Sequence, residues 1–158
     1  VQGAELEVHK ALWTGLGLGV NLTAVTSSIQ FPANTGLLAR RFIGQSPFVA
    51  NGYLAYEPPG SPLQLSVLYN YFGDRITKYS NNQTANAPPY PNPNWVERGR
   101  HTVDAKMQLR LGRWLKWAVA AKNLTRAPVV VSEDSGELRT VEYYNPGISI
   151  TTGFTRDF

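Results

Sequence analysis

Polar and apolar residues alternate along this chain with a period of two. Between 102 and 111, Val103, Ala105, Met107, Leu109 and Leu111 alternate with Thr102, Asp104, Lys106, Gln108 and Arg110. One phase carries no charge and the other is wholly polar. Successive side chains of a strand point to opposite faces, so this pattern predicts a β-strand with one wet and one dry face. The same alternation runs through 63–72 (Leu63, Leu65, Val67, Tyr69 and Tyr71 on one phase) and 16–24 (Leu16, Leu18, Val20 and Leu22). It recurs at 115–122, 148–155 and, more briefly, 5–9, with 48–56 as a further strand. The expectation is an all-β, antiparallel chain of about seven strands, with Leu109 mid-strand on the apolar phase.

The connections between these strands alternate short and long. The tight ones fall at 12–15, at Glu57-Pro58-Pro59-Gly60-Ser61-Pro62 and at Gly112-Arg113-Trp114. Their Gly, Pro and Ser residues favour turns. The long ones, expected to be loops, cover 28–46, 77–97 and 125–138. Tight turns at one end and long loops at the other are the pattern of an outer-membrane barrel. On that frame Trp13, Tyr56, Trp114 and Phe158 sit at the periplasmic ends, where an aromatic ring is half wetted. Lys10 and Arg156 fall on the apolar phase, but within a few residues of those ends, where a long cationic side chain reaches the headgroups. The glycines of Gly15-Leu16-Gly17-Leu18-Gly19 fall mostly on the lumen phase, where a plug would pack closely.

Composition narrows the picture further. Charged residues make up 16% of the chain, and hydrophobic residues 42%, short of the roughly 25% charge of ordinary globular domains. No run approaches the ~18 apolar residues of a membrane helix. Cysteine is absent, which excludes disulfides and thiolate metal sites. The net charge of +4 is mild, and without a basic cluster beyond Arg40-Arg41 no nucleic-acid partner is expected. The two histidines, His9 and His101, read as lumen or interface residues. A triad of His101, Asp104 and a serine is conceivable, but no nucleophile elbow accompanies it. No metal-ligand spacing, P-loop or dinucleotide fingerprint occurs. The expectation is no enzyme activity, no catalytic residue, no metal and no cofactor.

Several segments resemble the last third of TonB-dependent outer-membrane receptors. Arg41-Phe42-Ile43-Gly44-Gln45-Ser46-Pro47, followed by Asn51, Leu54 and Tyr56, resembles their R-x-x-G-Q-S-P…N…L-x-Y segment. Leu68-Tyr69-Asn70-Tyr71-Phe72-Gly73-Asp74-Arg75-Ile76 resembles the strand top that follows it. Asp104, Lys122-Asn123-Leu124, Pro146-Gly147 and an ending from Gly153 to Phe158 continue in the family's order, closest to the Oar-like receptors. Thr151, Gly153 and Phe158 resemble the signal read by the barrel-assembly machinery, although Arg156 stands where that pattern is hydrophobic.

The resemblance implies a location in the outer membrane of a Gram-negative bacterium. It implies that 1–158 is the C-terminal segment of an antiparallel transmembrane β-barrel of the 22-stranded type, with the plug and TonB-box elsewhere. It further implies active uptake of a scarce bulky ligand (siderophore, cobalamin, glycan or peptide). The partners would be outer-membrane lipid, the TonB complex and the assembly machinery. The motif positions carried over are Arg41, Gly44, Gln45, Ser46, Pro47, Asn51, Asn70, Phe72, Gly73 and Arg75. No ligand-binding residue follows from the resemblance. A structural or passive-channel barrel, and a soluble β-sandwich or lipocalin-like module, are the other readings open to the sequence.

Overall fold

The computed structural model describes residues 1–33, 39–79, 93–134 and 139–156. They form eleven strands: β1 (Gln2–Trp13), β2 (Leu16–Thr26), β3 (Phe48–Tyr56), β4 (Leu63–Phe72), β5 (Arg75–Lys78), β6 (Trp95–Glu97), β7 (Arg100–Leu111), β8 (Leu115–Lys122), β9 (Val129–Glu133), β10 (Thr140–Tyr144) and β11 (Ser149–Arg156). All pairings are antiparallel. A seven-stranded wall runs in the order β1-β2-β3-β4-β7-β8-β11, and a four-stranded cap runs β10-β9-β6-β5. Neither sheet closes on itself. The seven wall strands are the seven that the alternation predicts.

Residues directly opposite each other on paired strands point to the same side of the sheet. The register therefore decides whether the alternating phases of separate strands meet, and here they do. One rung crosses the whole wall: Lys10, Leu18, Leu54, Val67, Ala105, Ala121 and Ile150. The rungs beside it on that face hold Leu6, Val8, Leu22, Leu65, Met107 and Val119. The opposite face carries a rung of Glu7, Asn21, Asn51, Asn70 and Thr102. A slip of one residue between any two strands would mix the faces; none occurs along the paired lengths of β2, β3, β4, β7, β8 and β11. The one irregularity in the wall is between Ala11 and Trp13 in β1.

The apolar rung also climbs. At Leu18 it lies two residues from the tight-turn end of β2, which begins at Leu16; at Ala105 it lies six from that end of β7, which finishes at Leu111. The climb takes place from β3 through β4 to β7; β2 and β3 are level, as are β7, β8 and β11. Leu109, placed mid-strand by the sequence pattern, lies two residues from the tight-turn end of β7, which spans Arg100–Leu111.

The long connections are not loops throughout. β5 and β6 fall partly within 77–97, β9 falls within 125–138, and β10 follows it. The cap order β5-β6-β9-β10 repeats the wall order β4-β7-β8-β11, because β4 runs into β5, β6 into β7, β8 into β9 and β10 into β11. The cap is the far part of two long hairpins and forms a sheet of its own. Strands of three to five residues are too short to show a period of two, which is why alternation missed them. The buried hydrophobic residues among those described, Ile76, Val96 and Val131, are all in the cap. The wall's apolar face is uncovered: Leu6 is 57% exposed, Val67 44% and Ile150 72%.

The bend between β4–β7 and β5–β6 is symmetric, with Gly73-Asp74 facing Arg98-Gly99. A Cβ on Gly99 would lie 2.7 Å from the Phe72 carbonyl oxygen and 3.0 Å from Gly73 Cα, both backbone atoms that cannot move aside. By contrast, a Cβ on Gly52 would meet nothing nearer than 3.9 Å. Gly99→Ala should therefore destabilise the fold by about 1–3 kcal/mol through overpacking, whereas Gly52→Ala should leave the denaturant midpoint within the error of the wild type.

Candidate functional site

Where the wall ends and the cap begins, each strand's hydrogen-bond ladder is interrupted. A buried polar group left without a partner costs about 1–3 kcal/mol, so the freed backbone groups need new partners. Side chains supply them along this end of the sheet. Ser46, which is buried, donates its hydroxyl to the Phe48 carbonyl at 2.8 Å and lies 3.0 Å from the Gly73 carbonyl. Ser27 Oγ accepts from the Phe42 amide at 3.1 Å. Asp74 accepts from the Gly99 amide at 2.7 Å and from Arg98 Nη1 at 2.7 Å. Asn123, with φ of 55°, accepts from the Ala127 amide at 3.0 Å and donates to the Gly147 carbonyl at 2.8 Å. Its own amide donates to Asp104 at 2.8 Å.

Most of the motif residues singled out in the sequence meet in this belt. The Arg41 carbonyl accepts from the Tyr79 hydroxyl. The Gly44 amide donates to the Ile76 carbonyl at 2.8 Å, so the segment before β3 continues as a neighbour of β5. The Gln45 amide donates to the Phe42 carbonyl at 3.4 Å, the Pro47 carbonyl accepts from the Val25 amide at 3.0 Å, and the Gly73 amide donates to the Phe48 carbonyl at 2.8 Å. Arg75 forms a two-pronged ion pair with the buried carboxylate of Glu97, at 2.9 and 2.7 Å. Its guanidinium also sits 4.7 Å from the centre of the Phe72 ring. Asn51 and Asn70 stand apart from the belt, on the wall's polar face, where Asn70 Nδ2 donates to Asn51 Oδ1.

The other sequence-predicted positions are scattered. Trp13, Tyr56 and Trp114 are exposed at the tight-turn end of the wall, at 79%, 42% and 52%. Thr151 and Gly153 lie on the polar face of β11, opposite Ala120 and Ala118. A Cβ at Gly153 would meet nothing within 4 Å among the described residues. Phe158 lies outside the described residues. His101 and Asp104 are on opposite faces of β7, so they cannot share a triad. His101 belongs to the apolar face, where its Nδ1 is 2.5 Å from the Tyr69 hydroxyl and its ring stacks on Tyr71 at 4.5 Å.

Sequence reasoning missed the arrangement around His9. On the polar face His9 Nε2 is 2.6 Å from Glu7 Oε1, and His9 Nδ1 is 2.9 Å from the Tyr53 hydroxyl. A carboxylate can only accept, so His9 Nε2 is the donor in the contact with Glu7. Tyr53 reaches His9 by lying across β2, over Gly19, where a Cβ would be 2.1 Å from the ring's Cε1. The space above Gly19, expected to receive a plug, is filled by this chain's own tyrosine. The available signal was a glycine, a tyrosine and a histidine on the same phase of three adjacent strands. Together with the asparagine rung these groups line a depression of about 550 Å³, within the ~300–1,000 Å³ range of ligand sites.

The chemistry this face offers is recognition: amides, a phenol, an imidazole and carboxylates in fixed positions. No group of three or more His, Asp or Glu that could hold a metal ion occurs among the described residues. No family model, no curated protein and no solved structure matches the chain.

Ser46→Ala would remove the hydroxyl shared by the Phe48 and Gly73 carbonyls; the Phe48 carbonyl keeps the Gly73 amide as a donor, and the Gly73 carbonyl loses its side-chain donor. We expect a loss of about 1–3 kcal/mol of stability, measured by denaturant unfolding. Amide hydrogen exchange should become faster at Gly73 and Gly44 and stay unchanged at Leu18, far down the wall.

Proposed function

We propose that this chain forms part of the wall of an outer-membrane β-barrel of the TonB-dependent transporter type, which takes up a scarce bulky ligand. The observation that carries the reading is the continuous apolar face. Seven strands in register present it, no layer of the described chain covers it, and the opposite face is polar. Soluble monomers rarely expose apolar patches beyond a few hundred Å²; hydrocarbon covers such a face without a second protein layer.

Other features support the same reading. Wall strands of 8 to 12 residues match the ~9–11 residues of a tilted strand crossing a bilayer. The stagger of the rungs is what a tilted, closing sheet needs. Trp13, Tyr56 and Trp114 mark one interface. Lys10 and Arg156 stand on the apolar face close to that end, where a cation costs only about 0–1 kcal/mol. The free edges at β1 and β11 would be intolerable in lipid, so in this reading further strands pair with them, in a 22-stranded barrel. Thr151, Gly153 and Phe158 would present the end strand to the assembly machinery, and energy would come from TonB across the envelope.

Neighbouring positions on opposite faces of β4 test this. Val67 belongs to the apolar rung near the centre of the wall, and Leu68 faces Asp104 on the polar side. Val67→Arg should weaken folding into lipid vesicles by about 2–4 kcal/mol, seen as loss of the heat-sensitive folded band in unboiled gels. Leu68→Arg should insert as the wild type does. Equal tolerance of the two, or a wild-type protein that folds in water without lipid or detergent, defeats the membrane reading.

A further inference from the structure

The depression on the polar face lies in the upper half of the wall, a few residues below the belt. Its floor is a row of side-chain amides: Asn21, Asn51 and Asn70 on three adjacent strands in direct register. Neighbouring strands are about 4.7–4.9 Å apart, so the amides recur at that interval. Each amide is both donor and acceptor. Asn70 Nδ2 bonds Asn51 Oδ1, and Asn21 Nδ2 bonds Glu5 Oε1 at 2.5 Å. The bond between Asn51 and Asn70 does not use Asn51 Nδ2 or Asn70 Oδ1, and both residues line the depression. At one side stands Tyr53, its ring spread over Gly19 and its hydroxyl held by His9. The ring lies close over the Gly19 backbone and lines the depression.

The charges of the site exclude one class of ligand. Glu7 and Asp104 line the depression, and no Lys or Arg is among its lining residues. Carboxylate- or phosphate-bearing ligands are recognised by arginine forks and lysines, and here they would meet like charge. What fits is a neutral molecule with hydroxyl groups at repeated intervals and an apolar C–H face to lie on an aromatic ring. That is the chemistry of a sugar.

We propose that this depression binds a neutral oligosaccharide, with Asn51 and Asn70 pairing with its hydroxyls and Tyr53 supporting one ring face. The proposal rests on the barrel reading for the direction in which the sugar passes, and names the ligand class that reading left open. An anionic metal chelate does not fit this surface.

The test is equilibrium binding to the native protein, extracted from its membrane in mild detergent. Isothermal titration would use neutral linear oligosaccharides of glucose, xylose and N-acetylglucosamine, with ferric citrate as the anionic probe. The wild type should bind at least one neutral oligosaccharide and not ferric citrate. The double variant Asn51→Leu/Asn70→Leu replaces both partners of one hydrogen bond with side chains of similar size, a change that is near neutral for folding. It should insert normally and bind at least tenfold more weakly. Tyr53→Phe, which keeps the ring, should lose less than Tyr53→Ala. A folded, inserted wild type that binds no neutral saccharide, or a double variant of unchanged affinity, or a preference for ferric citrate, overturns the proposal and leaves the barrel reading standing. A failure of the barrel reading shows separately, as folding in water.

Discussion

An interrupted β-ladder must find new partners for its backbone, and that requirement organises this molecule. Four wall strands leave the wall's ladder and continue into a separate four-stranded cap. At each bend a short polar side chain (Ser46, Asp74 or Asn123) takes over from the missing strand neighbour. Ser27 does the same where the chain leaves β2. Ser27, Ser46 and Asn123 are buried, yet they are polar, because their task is hydrogen bonding and not packing. The ion pair of Arg75 and Glu97 sits just above them. With one partner removed, the other would be left as an uncompensated charge at a part-buried site.

Below the belt the logic is different. The wall has no core of its own, and its order comes from register alone. Each strand separates its apolar from its polar residues, and each pairing sums those separations into two whole faces. The energy that an ordinary domain gains by burying side chains against a second layer must come, for this sheet, from whatever lies against the apolar face. In the proposed setting that is lipid, which needs no shape complementarity. This suits a face built from Leu, Val, Ala and Ile with little interlocking. The polar face is more particular, and there the side chains hold one another: Glu7 with His9, His9 with Tyr53, Asn51 with Asn70.

The wall was legible in the sequence because a period of two, sustained over eight or more residues, arises in little besides a half-wetted strand. The sorting of short and long connections was legible too, since antiparallel neighbours joined by tight turns leave their remaining links at the other end. The cap was not. Arg75–Lys78 and Trp95–Glu97 are too short to display alternation, and both faces of their sheet are partly covered, so polar Glu97 and Ser132 are as buried as Val96. The motif residues from Arg41 to Arg75 stand out in the sequence by resemblance alone. Their shared task at the bend becomes visible only once β3, β4 and β5 are brought together. Tyr53 escapes notice because nothing local shows that it leans across a glycine of another strand.

The symmetry of the bend has a mechanical meaning. Between the last wall pair, Phe72 with Arg100, and the first cap pair, Arg75 with Glu97, each chain contributes the same two residues. There is no slack on either side. β4 therefore cannot slide along β7 unless β5 also slides along β6, and that would pull Ile76 away from Val96 and Arg75 away from Glu97. A wall whose two faces differ so sharply is ruined by a shift of one position. The small cap, with Ile76, Val96 and Glu97 buried in it, thus acts as a ratchet pawl for the sheet beneath it and holds the strand pairing in register.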